Sequence, residues 1–159
     1  MTQSTVRRLP AKAPALVRMP GPVIGRLLRS GLSLGPNMLI TVRGRTSGQP
    51  RTQPLAVVEA EGRQFVVGAF GDVNWCRNMR ANPDVRIHRK ARDERVRASE
   101  LSVDEAIGFF RERLPRAIPR MPLLGKVAVW TLIHFAAPDI KSDPERAARR
   151  LPVFELSAV

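Results

Sequence analysis

The chain has no tyrosine, one cysteine and only 5% aromatic residues in its 159 positions. A lone Cys76 excludes an internal disulfide, and nothing near the N-terminus has the charged, apolar and small-residue order of a secretory signal, so a cytoplasmic setting is expected. The scarcity of aromatics leaves few platforms for stacking bases, which argues against nucleic acid as a partner. His88 and His134 are the only histidines and no Cys-x-x-Cys occurs, so no metal site is expected. The uncharged run Val127 to Pro138 is well short of the ~20 apolar residues of a membrane-spanning helix. Negative charge is also missing from one end: no Asp or Glu precedes Glu59.

What is present fits one globular domain. The chain is 43% hydrophobic and 26% charged, and a chain of this size buries ~68–70% of its unfolded surface without a metal or disulfide staple. The net charge is +13, and nine basic residues lie ahead of Glu59: Arg7, Arg8, Lys12, Arg18, Arg26, Arg29, Arg43, Arg45 and Arg51. A field of that sign gathers anions, whether phosphorylated small molecules, nucleic acid or an acidic membrane face. Because 23 of the 27 basic residues are arginine, the total also fits a bias of base composition, and position is the better guide.

Residues 1 to 21 read as a loose basic arm punctuated by Pro10, Pro14 and Pro20. Val23, Ile24, Leu27 and Leu28 then recur at helical spacing with Arg26 and Arg29 between them, giving a short amphipathic helix over Pro22 to Ser30. Such a helix either caps the core or rests on an anionic membrane surface at the inner face. The division expected is an arm and helix over 1–36 and a cofactor-sized domain over 37–159.

Past Gly35-Pro36 the pattern turns to strands: Met38 to Arg43, Thr52 to Ala60, and Phe65 to Ala69 joined to the second by a Glu61-Gly62 hairpin turn. A helix between Phe70 and Asn82 places Trp75 and Met79 on one face, with Asp72 or Asn74 as cap and Asn82-Pro83 as stop. Val85 to Arg89 and Arg95 to Leu101 form another pair around a polar turn at Lys90 to Glu94. Ser102 and Glu105 spell a capping box, opening a helix whose inner face is Val103, Ala106, Ile107, Phe110 and Leu114 and which Pro115 stops. A second apolar helix over Leu123 to Ala137 and a last strand from Val153 to Leu156 follow. Short, mostly antiparallel strands with added helices predict an α+β fold built on a small β-barrel.

The densest chemistry lies in Arg43-Gly44-Arg45-Thr46-Ser47-Gly48-Gln49-Pro50-Arg51-Thr52. Glycines let backbone N–H groups approach an oxyanion, hydroxyls add donors, and guanidinium forks bind phosphate oxygens. The Gly44 to Gly48 spacing is one residue short for a Walker loop and no Lys-Ser or Lys-Thr follows, so the segment reads either as an anion site of another kind or as a solvated hairpin. Cys76 beside Arg77 has no base or second thiol nearby in sequence, and His134 on the apolar helix reads as a structural histidine or a proton donor.

Gly44-Arg45-Thr46-Ser47-Gly48-Gln49-Pro50-Arg51 with Pro54-Leu55, followed by Trp75-Cys76-Arg77-Asn78-Met79 and Ala81-Asn82-Pro83, resembles the deazaflavin (F420)-dependent nitroreductase family. The likeness covers about Met38 to Leu101, and the Pro-Val-Phe-Glu-Leu ending is typical of one branch. The resemblance implies a split β-barrel related to the flavin-mononucleotide (FMN)-binding oxidases. It also implies coenzyme F420, whose phospholactyl-polyglutamate tail is polyanionic, and reduction of a quinone, enone or nitro compound. Carried onto this sequence, Arg45, Thr46, Ser47 and Arg51 would bind the phosphate side, and Thr52, Gln53, Pro54, Leu55 and Ala56 would line the cofactor along a strand. The backbone of Gly68, Ala69, Phe70 and Gly71 would border the ring, and Asn74, Trp75, Cys76, Arg77 and Asn78 would close the site. No catalytic residue is assigned. Tyrosine, used near the substrate by some members, is absent; Thr46 replaces a frequent lysine; and the Gly71 to Trp75 loop is short.

Three functions follow: an F420-dependent oxidoreductase, an FMN enzyme on the same fold, and a non-catalytic basic module for anionic lipid or nucleic acid. A small-molecule electron acceptor is the expected partner of the first, with peripheral membrane contact through the basic N-terminal helix, as a monomer or homodimer.

Overall fold

The computed structural model describes residues 37–89 and 92–159. The basic arm, the helix expected over Pro22 to Ser30 and the division at residue 36 lie outside them. Six strands, β1 (Asn37–Arg43), β2 (Pro50–Ala60), β3 (Arg63–Val67), β4 (Asp84–Arg89), β5 (Arg92–Glu100) and β6 (Val153–Ala158), close into a barrel in the order β1-β2-β3-β6-β5-β4. Every pairing is antiparallel, so the α+β split barrel implied by the sequence is the fold of the protein. β6 does close the sheet, inserted between β3 and β5.

β2 carries the split. Pro50 to Ala56 pair with β1, whereas Val57 to Ala60 pair with β3. The edge of β2 opposite β1 therefore has no strand partner over Pro50 to Ala56 among the described residues. The hairpin to β3 turns at Glu61 (φ 54°) and Gly62 (φ 74°), both in the left-handed region that a two-residue I′ turn requires. Pairing resumes at once with Ala60 opposite Arg63, which moves β3 two residues ahead of the expected Phe65 to Ala69. Gly68 leaves the ladder and donates its N–H to the Pro152 carbonyl at 2.8 Å.

The barrel wall is buried from both sides. Met38, Ile40, Val42, Val57, Val66, Phe154 and Leu156 fill the interior, while Val58, Phe65 and Val153 face outward under a helical layer. Neighbours such as Phe65 and Val66, or Val153 and Phe154, are both inaccessible, which explains why these strands read as continuous apolar runs rather than alternating ones.

Helix α1 (Asn74–Ala81) plugs the barrel end with Cys76 and Met79. Its cap differs from expectation: Val73 occupies the position and makes no side-chain bond. Asp72 is instead engaged by Arg77 at 3.2 Å and Arg80 at 2.6 Å, and Asn74 reaches toward Arg45.

The Ser102–Glu105 capping box forms as read, with reciprocal bonds of 3.3 and 2.8 Å. It opens α2 (Val103–Gly108), but Pro115 does not stop the helix. A π-turn over Phe109–Arg113 lets the Leu114 N–H reach the Phe109 carbonyl. The shifted register puts Pro115 in the first turn of α3 (Leu114–Ala117), where its missing N–H is tolerated. After a 3₁₀ turn at Ile118–Arg120 come α4 (Leu123–Phe135), α5 (Asp139–Ser142) and α6 (Pro144–Arg150). The last two were not anticipated, although Asp143 caps α6 through the Arg146 N–H at 3.0 Å with Pro144 in the first turn. β5 begins at Arg92, so Glu94 lies in the ladder opposite Ile87 rather than in a turn. No helix among the described residues is long and apolar enough to cross a membrane.

Candidate functional site

At one mouth of the barrel, the β1–β2 loop, the first residues of β2 and α1 enclose a cleft of about 460 Å³. Val42, Gly44, Arg45, Thr46, Ser47, Arg51, Gln53, Asn74, Trp75 and Asn78 line it. Two of these are arginines and none is acidic. Strand alternation sets the composition: Val42 pairs with Arg51 and Ile40 with Gln53, so Arg51 and Gln53 continue the face that deeper in the barrel is apolar.

The loop is a closed, rigid turn. The Gly44 N–H donates to the Gln49 carbonyl and the Gly48 N–H to the Gly44 carbonyl, each at 2.9 Å. Gly48 has φ 67°, the left-handed region that favours glycine, and a Cβ on Gly44 would stand 2.9 Å from Ser47 Oγ and 3.3 Å from the Gln49 carbonyl oxygen. Three asparagines spaced four apart, Asn74 and Asn78 on α1 and Asn82 at its C-cap, hold this loop in place. Asn78 Oδ1 accepts the Arg45 backbone N–H at 3.2 Å and its Nη1–H at 2.9 Å. Asn74 Oδ1 accepts from Arg45 Nη2 at 3.4 Å, and Asn82 Nδ2 donates to the Arg43 carbonyl at 3.3 Å.

These contacts separate two kinds of arginine. Arg45 is oriented by neutral amide oxygens, which leave its positive charge uncompensated and available to an anion. Arg77 and Arg80 are instead neutralised by carboxylates: both bond Asp72, and Arg80 also grips Glu100 through two N–H groups. Burial alone would raise the Asp72 carboxyl, but hydrogen bonds from Arg80 and Arg77 outweigh it and hold it below the usual carboxylate range. The bonds to Glu100 push the Arg80 guanidinium further up. That network ties α1 to the barrel rather than to the cleft.

Of the residues singled out from the sequence, Arg45, Thr46, Ser47, Arg51, Gln53, Asn74, Trp75 and Asn78 come together around the cleft. Thr52, Pro54 and Ala56 alternate to the opposite face of β2, where Thr52 Oγ1 meets Thr41 Oγ1 at 2.7 Å. Leu55 packs on the barrel core. Gly68 to Gly71 make the tight connection into α1, with the Gly71 N–H bonded to the Gly68 carbonyl at 2.8 Å. Cys76 is fully buried, and burial pushes its thiol up to about 12, so it stays a neutral packing group. Trp75 lies with its ring centroid 5.9 Å from that of Phe154 and supplies an apolar wall.

Gly44, singled out with the glycine-rich cluster, also lines the cleft, whereas Val42 was not among the expected site positions; the alternation of β1 places it on the inward face. His134 is exposed on α4, stacked on Trp130, and is neither a core histidine nor part of the cleft. His88 bonds Asp93 through Nδ1 at 2.8 Å.

A cleft with two uncompensated cations, hydroxyl and backbone donors and a flat apolar wall fits a ligand with an anionic end and a planar end. Among solved structures, an F420-H2 dependent reductase (FDR-A) is 25% identical, with 77% of this chain and 94% of that one covered and a TM-score of 0.45. A protein described as a domain-swapped dimer is 24% identical over 89% and 97% of the two chains, with a TM-score of 0.48. A FAD-binding protein from Mesorhizobium loti is 17% identical over 92% and 91%, with a TM-score of 0.47. The sequence profile described as F420H(2)-dependent quinone reductase matches residues 13–121, more than half of the chain and all of the cleft. On that match, the chain belongs to the F420H(2)-dependent quinone reductase family.

Proposed function

We propose that the protein is an oxidoreductase that uses reduced coenzyme F420 to reduce a lipophilic, electron-poor acceptor, a quinone before an enone or nitro compound. The observation that carries the reading is the cleft in which no carboxylate among the described residues faces Arg45 or Arg51, within the segment that matches the family. Arg45, Arg51, Thr46 and Ser47 hold the phosphate and carboxylates of the tail, for which bidentate guanidinium contacts and hydroxyl donors are suited. The edge of β2 from Thr52 to Ala56, which has no strand partner among the described residues, would offer backbone N–H and C=O groups to the polar rim of a flat ring. The Gly68 to Gly71 backbone would border the ring, as the resemblance implies, and Trp75 would offer it apolar surface.

The bound coenzyme supplies the hydride chemistry, and the protein supplies binding, orientation and exclusion of water. Among the described residues no Asp, Glu, His, Lys or Tyr lines the cleft, so the hydroxyls of Thr46 and Ser47, or water held by them, are the groups there that can pass a proton to the reduced acceptor. Six cations and no acid precede Asn37, which suits the anionic face of a membrane where lipophilic quinones reside.

Fluorescence titration with oxidised F420, beside FMN and at two salt concentrations, tests the cofactor. Saturable binding of the deazaflavin alone, weakened by salt, is the expected result. Binding of FMN alone overturns the reading in favour of a flavin protein. Turnover of a soluble quinone by the F420-loaded protein then tests the acceptor.

A further inference from the structure

Helix α4 is apolar on both sides. Val129 and Ile133 sit in the core beneath the helical layer. Leu123, Val127, Trp130 and Phe135 are 75%, 55%, 55% and 78% exposed. Residues 123, 127, 130 and 134 follow the spacing of one helical stripe, with Phe135 at its margin. No charged side chain interrupts it. The one polar ring within it, His134, lies flat on Trp130 with centroids 5.2 Å apart and an interplanar angle of 4°, and meets Phe135 edge-on at 4.9 Å. An apolar helix face is normally a covered one, and a patch of four large side chains on one element marks a contact surface.

Charge selects what covers it. The chain carries +13, so a second copy would bring the same charge against itself, and the acid-free segment before Asn37 would do likewise. Arg120, whose guanidinium donates to the Arg116 carbonyl at 3.2 Å, precedes α4, and Lys126 lies in its first turn. A negatively charged surface that also accepts apolar side chains meets both requirements. The 13 residues of α4 span about 20 Å, too short to cross a ~30 Å hydrocarbon layer but suited to lying in its interface, with tryptophan at headgroup depth.

We propose that α4 is a membrane-docking helix, lying in the interface of an anionic bilayer and burying Leu123, Val127, Trp130 and Phe135. The inference extends the quinone reading above, since it brings the protein to where such acceptors dissolve, but its test is separate. The full-length protein is sedimented with vesicles of phosphatidylcholine and of phosphatidylcholine mixed with phosphatidylglycerol, and F420 affinity is measured on the same samples. The protein is expected on the mixed vesicles, and Val127→Glu and Phe135→Gln each to cut that binding about tenfold with F420 affinity unchanged. Wild-type binding to neither vesicle overturns the proposal, as does binding that both variants leave intact. A wild-type dimer in sedimentation velocity that Val127→Glu converts to monomer also overturns it, because a second copy then covers the face. Lost F420 affinity in the wild type with vesicle binding retained defeats the cofactor reading and leaves this one standing.

Discussion

A single side-chain oxygen, Asn78 Oδ1, fixes Arg45 twice, accepting its backbone N–H at 3.2 Å and its Nη1–H at 2.9 Å. The amide sets both the position of the loop and the direction of the guanidinium without cancelling its charge. Asn78 is the one buried polar side chain among the described residues, at 8% exposure. A buried amide is retained where both of its roles are needed, orientation and neutrality.

Those roles can be separated. Asn78→Ala leaves a part-buried N–H unpaired and is expected to cost about 1–3 kcal/mol in urea unfolding, with coenzyme affinity falling as the loop loosens. Asn78→Asp keeps the acceptor oxygens but neutralises Arg45. It is expected to hold most of the stability and still lose about tenfold in F420 affinity at low salt. An Asp variant that binds as well as wild type would sink the claim that the free charge of Arg45 matters.

Arg51 and Arg77 are expected to behave oppositely. Arg51 lines the cleft, so Arg51→Ala is expected to weaken binding of the polyanionic coenzyme about tenfold or more and to flatten its salt dependence. Arg77 is committed to Asp72, so Arg77→Ala is expected to leave affinity unchanged and to lower stability by about 1 kcal/mol or less, as suits a partly exposed pair. Parallel titration and unfolding of the two variants checks this. Equal losses of affinity contradict the division of the arginines.

Gly68 is held by close approach rather than by its backbone angle. A Cβ there would stand 2.9 Å from Cys76 Sγ, 2.9 Å from the Gly71 carbonyl oxygen and 3.1 Å from Pro152 Cδ. Gly68→Ala is expected to destabilise by about 1–3 kcal/mol through overpacking. Cys76→Ala in the same chain removes one of the three contacts and leaves the backbone one, so the double variant should recover only part of the loss. Full recovery in denaturant melts would mean that the sulfur alone sets the constraint.

Much of this was legible in the sequence because local signals agreed with tertiary ones. The Glu61-Gly62 turn, the Ser102–Glu105 box and the apolar runs Phe65 to Val67 and Val153 to Phe154 each named their element, and Gly44 to Arg51 named the loop on which the cleft is built. What was not legible depends on partners distant in sequence. Asp72 looked like a helix cap until Arg77 and Arg80 took it, and Arg77 could be told from Arg45 only by the acid beside it. Pro115 reads as a stop unless the preceding turn widens to π geometry, as it does over Phe109–Arg113, and no local sequence signal announces that. The Asn74, Asn78 and Asn82 spacing was visible, but its meaning required the loop it faces.

The Asp72 network also sets an acid limit on stability. Its carboxyl lies below the usual range, with hydrogen bonds from Arg80 and Arg77 overcoming the effect of burial. The folded state therefore binds the proton less tightly than the unfolded chain, whose aspartates titrate near ~3.9. The stabilisation is present in full above that value and disappears as pH falls through the lower folded value. Asp72→Asn is thus expected to be less stable than wild type at neutral pH by a margin that stays constant down to about pH 5 and shrinks below about pH 4. Glu105, lowered by the Ser102 backbone and hydroxyl bonds, titrates in the same window but is common to both proteins and cancels in the difference. Urea unfolding of the pair across the acid range checks it, and a margin that stays flat throughout would show that the arginines stabilise α1 without drawing on the charge of Asp72.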